Sequence, residues 1–130
     1  ITQADGIAGD VADPSVREEG YHQLPLASLL SLCRGLDDLM GRLSSIRCPT
    51  LLMTSRADHV VPTVSSDILA GKVGGPVDRV WLERSYHVAT LDHDRETVEK
   101  LAVDFGLAAV AGAETPGSGP QPPPTIGPDA

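Results

Sequence analysis

Two short stretches hold most of the groups in this 130-residue chain that could do chemistry. "SRADHVVP" at 55–62 carries Asp58 and His59, and "RSYHVATLDHD" at 84–94 carries His87, Asp92, His93 and Asp94. Imidazoles and carboxylates together support two kinds of chemistry: proton transfer near neutral pH, and metal ligation. The metal reading is the weaker one, because residues 92–94 open a helix, where acidic side chains are favoured by exposed amides and the helix dipole. Plainer roles also stand beside proton transfer. Asp58 suits a turn former or a helix cap, and a loop histidine needs no role at all.

The elements before these stretches give them a common location. "TLLMTS" at 50–55 is short, apolar and without alternation, as in a parallel strand covered on both faces. Val64, Ile68 and Val73 mark a short helix over 63–73 that "GGP" at 74–76 ends, and "VDRVWLE" at 77–83 has the β-branched and aromatic content of a second strand. Val98, Leu101, Ala102, Phe105 and Ala109 share one face of a helix from about 95 to 110, with Asp92 or Asp94 as its cap. The order strand, helix, strand, helix describes an α/β sheet of parallel strands joined by right-handed crossover helices. In such sheets functional groups gather just past the carboxyl ends of the strands. Asp58 follows the first strand and His87 the second, so these two are the candidates to face one crevice.

Upstream, Leu26, Leu29, Leu30, Cys33, Leu36, Met40 and Leu43 recur at spacings of three and four, which predicts an amphipathic helix with Pro25 in its first turn. Residues 1–24 are rich in Gly, Asp and Ala without clear periodicity and read as loop with at most a helical turn. Because a two-stranded parallel sheet leaves unpaired backbone at its edges, further strands are expected upstream of Ile1. From residue 112 on, Pro, Gly and Ser dominate, and a disordered tail over 112–130 is expected.

Composition removes several functions. Lys and Arg total 10 against 18 Asp and Glu, a formal net charge of −8, and no basic stripe interleaved with aromatics occurs, which argues against a nucleic-acid partner. No run approaches the roughly 18 apolar residues of a membrane span, and no signal-peptide pattern opens the sequence. Cys33 and Cys48 form no C-x-x-C pair and are expected to be inert core thiols in a reducing cytoplasm. Nothing in the pattern asks for a cofactor or metal.

The run "IRCPTLLMTSRADHVVP" followed by "VWLERSYHVATLDHDRETVEKLAVDF" closely resembles the carboxy-terminal part of α/β-hydrolases of the carboxylesterase and monoacylglycerol lipase type. In that family a strand delivers the triad acid in a "D-x-V-V-P" turn and the next strand delivers the triad histidine in an "S-x-H-V-x-T-x-D" loop. The first motif matches at Asp58, Val60, Val61 and Pro62, and the second at Ser85, His87, Val88, Thr90 and Asp92. The resemblance covers roughly residues 46–106. "DVADPSVREEGYHQLPLASLLSL" is similar, more loosely, to the helical cap that such enzymes insert before these strands. The implied division is a cap-like segment over 1–45, the α/β-hydrolase core over 46–111, and the tail.

The resemblance implies a serine ester hydrolase acting on a small acyl ester or lipid. His87 would be general base and then general acid toward a serine, and Asp58 would hold its ring and stabilise the imidazolium. Val60, Val61 and Val88 become candidates for the substrate pocket. His59 is expected to point away from the pair, at the surface or the pocket rim, and His22 has no evident partner. The G-x-S-x-G elbow of the family does not occur: "GSG" at 117–119 lies in the tail, and "SLCRG" at 31–35 has Ser31 where the first Gly belongs. The nucleophile is therefore expected outside this sequence, and the chain alone is expected to be inactive. A hydrolase scaffold kept for binding or assembly, and the same triad acting on amides or other acyl donors, are the competing readings.

Overall fold

The structure, a computed structural model, describes residues 2–114. Strands β3 (Thr50–Ser55) and β4 (Val77–Leu82) lie parallel, with Thr50 opposite Val77 and Ser55 opposite Leu82 in unbroken register. The amide of Arg56 donates to the carbonyl of Leu82 at 3.0 Å and carries the pairing one residue beyond β3. Helix α2 (Val64–Lys72) joins the two strands, and a 2.6 Å contact between the hydroxyls of Thr54 and Ser66 ties it to β3. The parallel α/β unit is thus the one the sequence pattern describes. Its strands are half-buried along most of their length, becoming buried only at Ser55 and Leu82. The burial expected on both faces is thus only partly reached among the described residues.

The turn from α2 into β4 explains the paired glycines. A Cβ on Gly75 would sit 2.6 Å from the carbonyl oxygens of Arg47 and Cys48, so the chain crosses here at a distance only glycine permits. On Trp81 of β4, the guanidinium groups of Arg56 and Arg79 stack at 4.3 and 4.4 Å from the ring, and Arg79 also pairs with Asp67 of α2 at 2.6 Å.

Helix α3 (Arg95–Glu114) runs past the expected end near 110. Residues 107–114, "LAAVAGAE", are mostly good helix formers, so the helix takes in Gly112 and the start of the supposed tail. The remainder of that tail, 115–130, lies outside the described residues.

Upstream, residues 1–24 are not simply loop. Strands β1 (Gln3–Asp5) and β2 (Gln23–Pro25) pair antiparallel, Gln3 opposite Pro25. Pro25 closes β2 with φ −65° and ψ 122°, and so stands at the N-cap of helix α1 (Leu26–Met40) rather than in its first turn. The proline ring fixes φ for either role, and the strand pairing selects the extended ψ. Helix α1 forms as its periodicity predicts, yet none of its residues is buried, and Leu30, Leu36 and Leu39 are exposed. Cys33 and Cys48 are exposed free thiols, not core residues. Cys33 lies open because no described element covers the apolar face of α1. Among the described residues, the buried apolar side chains are Leu43, in the short 3₁₀ turn Leu43–Ser45, and Leu82. Among the described residues, no helix is long and apolar enough to cross a membrane.

Candidate active site

Asp58 stands three residues beyond β3, where the chain turns toward α2. Its Oδ1 accepts the amides of Val60 (2.8 Å) and Val61 (2.7 Å), which closes the turn on the side chain itself. Its Oδ2 lies 3.0 Å from Nδ1 of His87. The turn-forming role and the pairing role therefore coexist, one on each oxygen. Burial pushes the Asp58 carboxyl up, but the amides of Val61 and Val60 and the His87 ring outweigh it and hold the group below the ordinary 3.8.

His87 reaches that position on a loop pinned from beneath. Ser85, fully buried, donates its hydroxyl to Oδ2 of Asp94 (2.8 Å) and accepts the Asp94 amide (2.9 Å), while the Arg84 amide binds the same Oδ2 at 2.9 Å. Asp92, 1% exposed, accepts four amides: Ala12, Asp13, Tyr86 and His93, at 2.7 to 3.0 Å. Burial raises its pKa, and these amides reverse the effect and lower it. Asp94 stands at the start of α3 with its carbonyl accepting the Val98 amide at 2.9 Å, but neither its carboxylate nor that of Asp92 caps the helix, because both bond back toward the loop that bears His87. With the loop fixed on one side, the His87 ring stays partly open, and among the described residues nothing bonds its Nε2.

A fourth carboxylate, which the sequence did not single out, links the two loops. Asp10 Oδ2 accepts the amides of His59 (3.2 Å) and His87 (3.1 Å), its Oδ1 lies 2.7 Å from Nδ1 of His59, and its carbonyl accepts the Val88 amide at 3.3 Å. Burial raises the Asp10 pKa, but the His59 ring and the two amides bring it below the ordinary value. The partners lie 49 and 77 residues along the chain, so no local pattern could reveal the contact.

His59 turns from the Asp58–His87 pair toward Asp10 and stays exposed, and its ring packs edge-on against Tyr86 with centroids 4.5 Å apart. Val60 borders an open groove of about 910 Å³ whose apolar lining includes Ile7, Tyr21, Leu24 and Pro25, and His22 lies on its wall. Val61 is exposed and Val88 half-buried, and neither lines that groove. The side chains of the acidic and histidine cluster at 87–94 diverge: His87 faces Asp58, His93 lies 3.8 Å from Asp13, and Asp92 and Asp94 hold backbone and hydroxyl groups.

The arrangement is an imidazole held at Nδ1 by a carboxylate, with Nε2 available to move a proton, at the carboxyl ends of two adjacent parallel strands. No protein-family model matches the chain. It is 39% identical over 102 residues to the thermostable monoacylglycerol lipase of Bacillus sp. (strain H-257), a match covering 78% of this chain and 41% of that protein. It is 29% identical over 86 residues to a carboxylesterase of Bacillus subtilis (strain 168), covering 65% of this chain and 35% of the other. A solved structure from a study of two metagenome-derived lipolytic enzymes, LipS and LipT, matches with a TM-score of 0.77 at 32% identity, covering 81% of this chain and 43% of its own. The matches thus span less than half the length of these relatives.

Proposed function

From the premise that this chain is a partial α/β-hydrolase of the monoacylglycerol lipase and carboxylesterase type, we propose that the protein containing it is a serine ester hydrolase in which Asp58 and His87 are two members of the catalytic triad. The observation that carries this reading is the 3.0 Å contact between Asp58 Oδ2 and His87 Nδ1, made at the ends of β3 and β4. With its proton on Nδ1 and donated to Asp58, the ring presents the Nε2 lone pair to a nucleophile. Nε2 takes the serine proton as the hydroxyl attacks the ester carbonyl, and returns it to the departing alcohol as the acyl-enzyme forms. Water then repeats the sequence and frees the acid. Asp58 remains ionised throughout, fixing the tautomer and stabilising the imidazolium.

The nucleophile is supplied from outside these 130 residues, since no G-x-S-x-G elbow occurs among them. The chain alone is accordingly inactive. The substrate is an uncharged acyl ester or monoacylglycerol, in keeping with the apolar groove beside Val60 and with a chain whose net charge of −8 repels polyanions. The free thiols of Cys33 and Cys48 favour a reducing compartment, the cytoplasm.

The test is hydrolysis of p-nitrophenyl acyl esters and of a monoacylglycerol by the full-length protein. His87→Ala and Asp58→Asn are each expected to lower kcat by on the order of 10³- to 10⁴-fold. Unchanged turnover in His87→Ala sinks the proposal.

A further inference from the structure

We infer that Asp10 is a positioning residue for the Asp58–His87 pair: a single oxygen, Oδ2, binds the amide next to Asp58 and the amide of His87, and thereby sets the separation of the two loops. The inference rests on the proposed triad, and it assigns a role to a residue with no place in the acid and histidine motifs. Three features of the geometry carry it.

The first is where the bonds fall. Oδ2 takes the His59 amide at 3.2 Å, one residue beyond Asp58, and the His87 amide at 3.1 Å, on the residue whose ring must meet Asp58. These are bonds to backbone, so they fix the points from which both side chains of the pair spring. The second is that Asp10 belongs to neither loop. It comes from the segment between β1 and β2, and that segment is itself anchored by the amides of Ala12 and Asp13 on Asp92, whose carboxylate also holds Tyr86. Asp10 therefore acts as a strut from an anchored segment rather than as a member of a mobile pair. The third is the occupation of Oδ1 by Nδ1 of His59 at 2.7 Å, which keeps that imidazole from competing with His87 for Asp58.

Without the strut, the Asp58 turn retains its own two amides from Val60 and Val61, and the His87 loop retains its anchorage on Asp92 and Asp94. Each loop keeps its shape, and what is lost is their spacing. A displacement of about 1 Å between reacting groups is enough to cost on the order of 10²-fold in rate.

The experiment is a mutant cycle on ester hydrolysis by the full-length protein. Asp10→Ala is expected to lower kcat by about 10- to 100-fold with KM changed less than about threefold. Asp10→Asn, which can offer one neutral oxygen to both amides and an N–H to His59, is expected to fall between Ala and wild type. In a His87→Ala background the Asp10 substitutions should have no further effect on the residual rate, because a residue that acts through His87 has nothing left to position. Should Asp10→Ala fail to fold by circular dichroism, the same cycle with Asp10→Asn decides. A kcat for Asp10→Ala within twofold of wild type overturns the inference, as does a loss that persists undiminished in the His87→Ala background. If His87→Ala itself keeps full activity, the triad reading fails first, and the two failures are told apart by that single variant.

Discussion

At the scale of the residue, Asp58 works with both oxygens, and its charge is part of the fold as well as of the proposed chemistry. Its carboxyl holds a proton less tightly in the folded protein than in the unfolded chain, and so do those of Asp10 and Asp92. A depressed folded pKa means that the stabilisation is fully present above the unfolded value and is lost as pH falls through the folded one. The window therefore lies below about pH 4, on the acid side of the ordinary aspartate value. Urea midpoints of the full-length protein are expected to hold steady down to about pH 4 and to fall below it, and to fall less in Asp92→Asn, which has no proton to gain at that site. Equal acid slopes for wild type and variant would contradict this. Asp58 and His87 were legible in the sequence because each follows an apolar run at a strand's carboxyl end. Asp10 was not, because its partners are distant in sequence and its own surroundings, "AGDVAD", carry only the signature of a loop.

At the scale of the element, the β3–α2–β4 unit was readable because local rules agree: an unbroken apolar strand, a short helix closed by glycines, and a β-branched strand. The reason for those glycines was not. Gly75 is required by the approach of the turn to the backbone at Arg47 and Cys48, and not by a left-handed φ, since among the described residues only Gly9 has a positive one. Gly75→Ala is expected to destabilise the full-length protein by about 1–3 kcal/mol through overpacking, measured by denaturant titration. A similar substitution at Gly71 in α2, where a Cβ meets nothing within 4 Å, should be neutral or slightly stabilising. Loss of stability in both would mean that close approach is not the cause. The β1–β2 pair escaped the sequence reading because three residues on each strand are too few to show alternation.

At the scale of the whole molecule, the chain exposes what a folded hydrolase core covers. Among the described residues, the sheet that carries the candidate pair has two strands, the apolar side of α1 is open at Leu30 and Leu36, and α3 exposes Val103, Leu107 and Val110. A two-stranded sheet with so little buried apolar surface is not expected to be independently stable. Residues 1–130 expressed alone should bind a hydrophobic dye strongly and melt without a cooperative transition, whereas the full-length protein should do neither. A sharp calorimetric transition in the isolated chain would contradict this. Taken by itself, the sequence determined the α/β order, the strand ends that present Asp58 and His87, and the absence of an elbow serine, because each is written in local periodicity or in a contiguous motif. Only the tertiary structure decided that Asp58 and His87 meet at 3.0 Å, that Asp10 and Asp92 hold their loops, and that Cys33 is open to solvent. Those outcomes depend on which distant segments pack together, and a carboxylate whose amide partners lie 77 or 80 residues away leaves no mark on its neighbours in the chain.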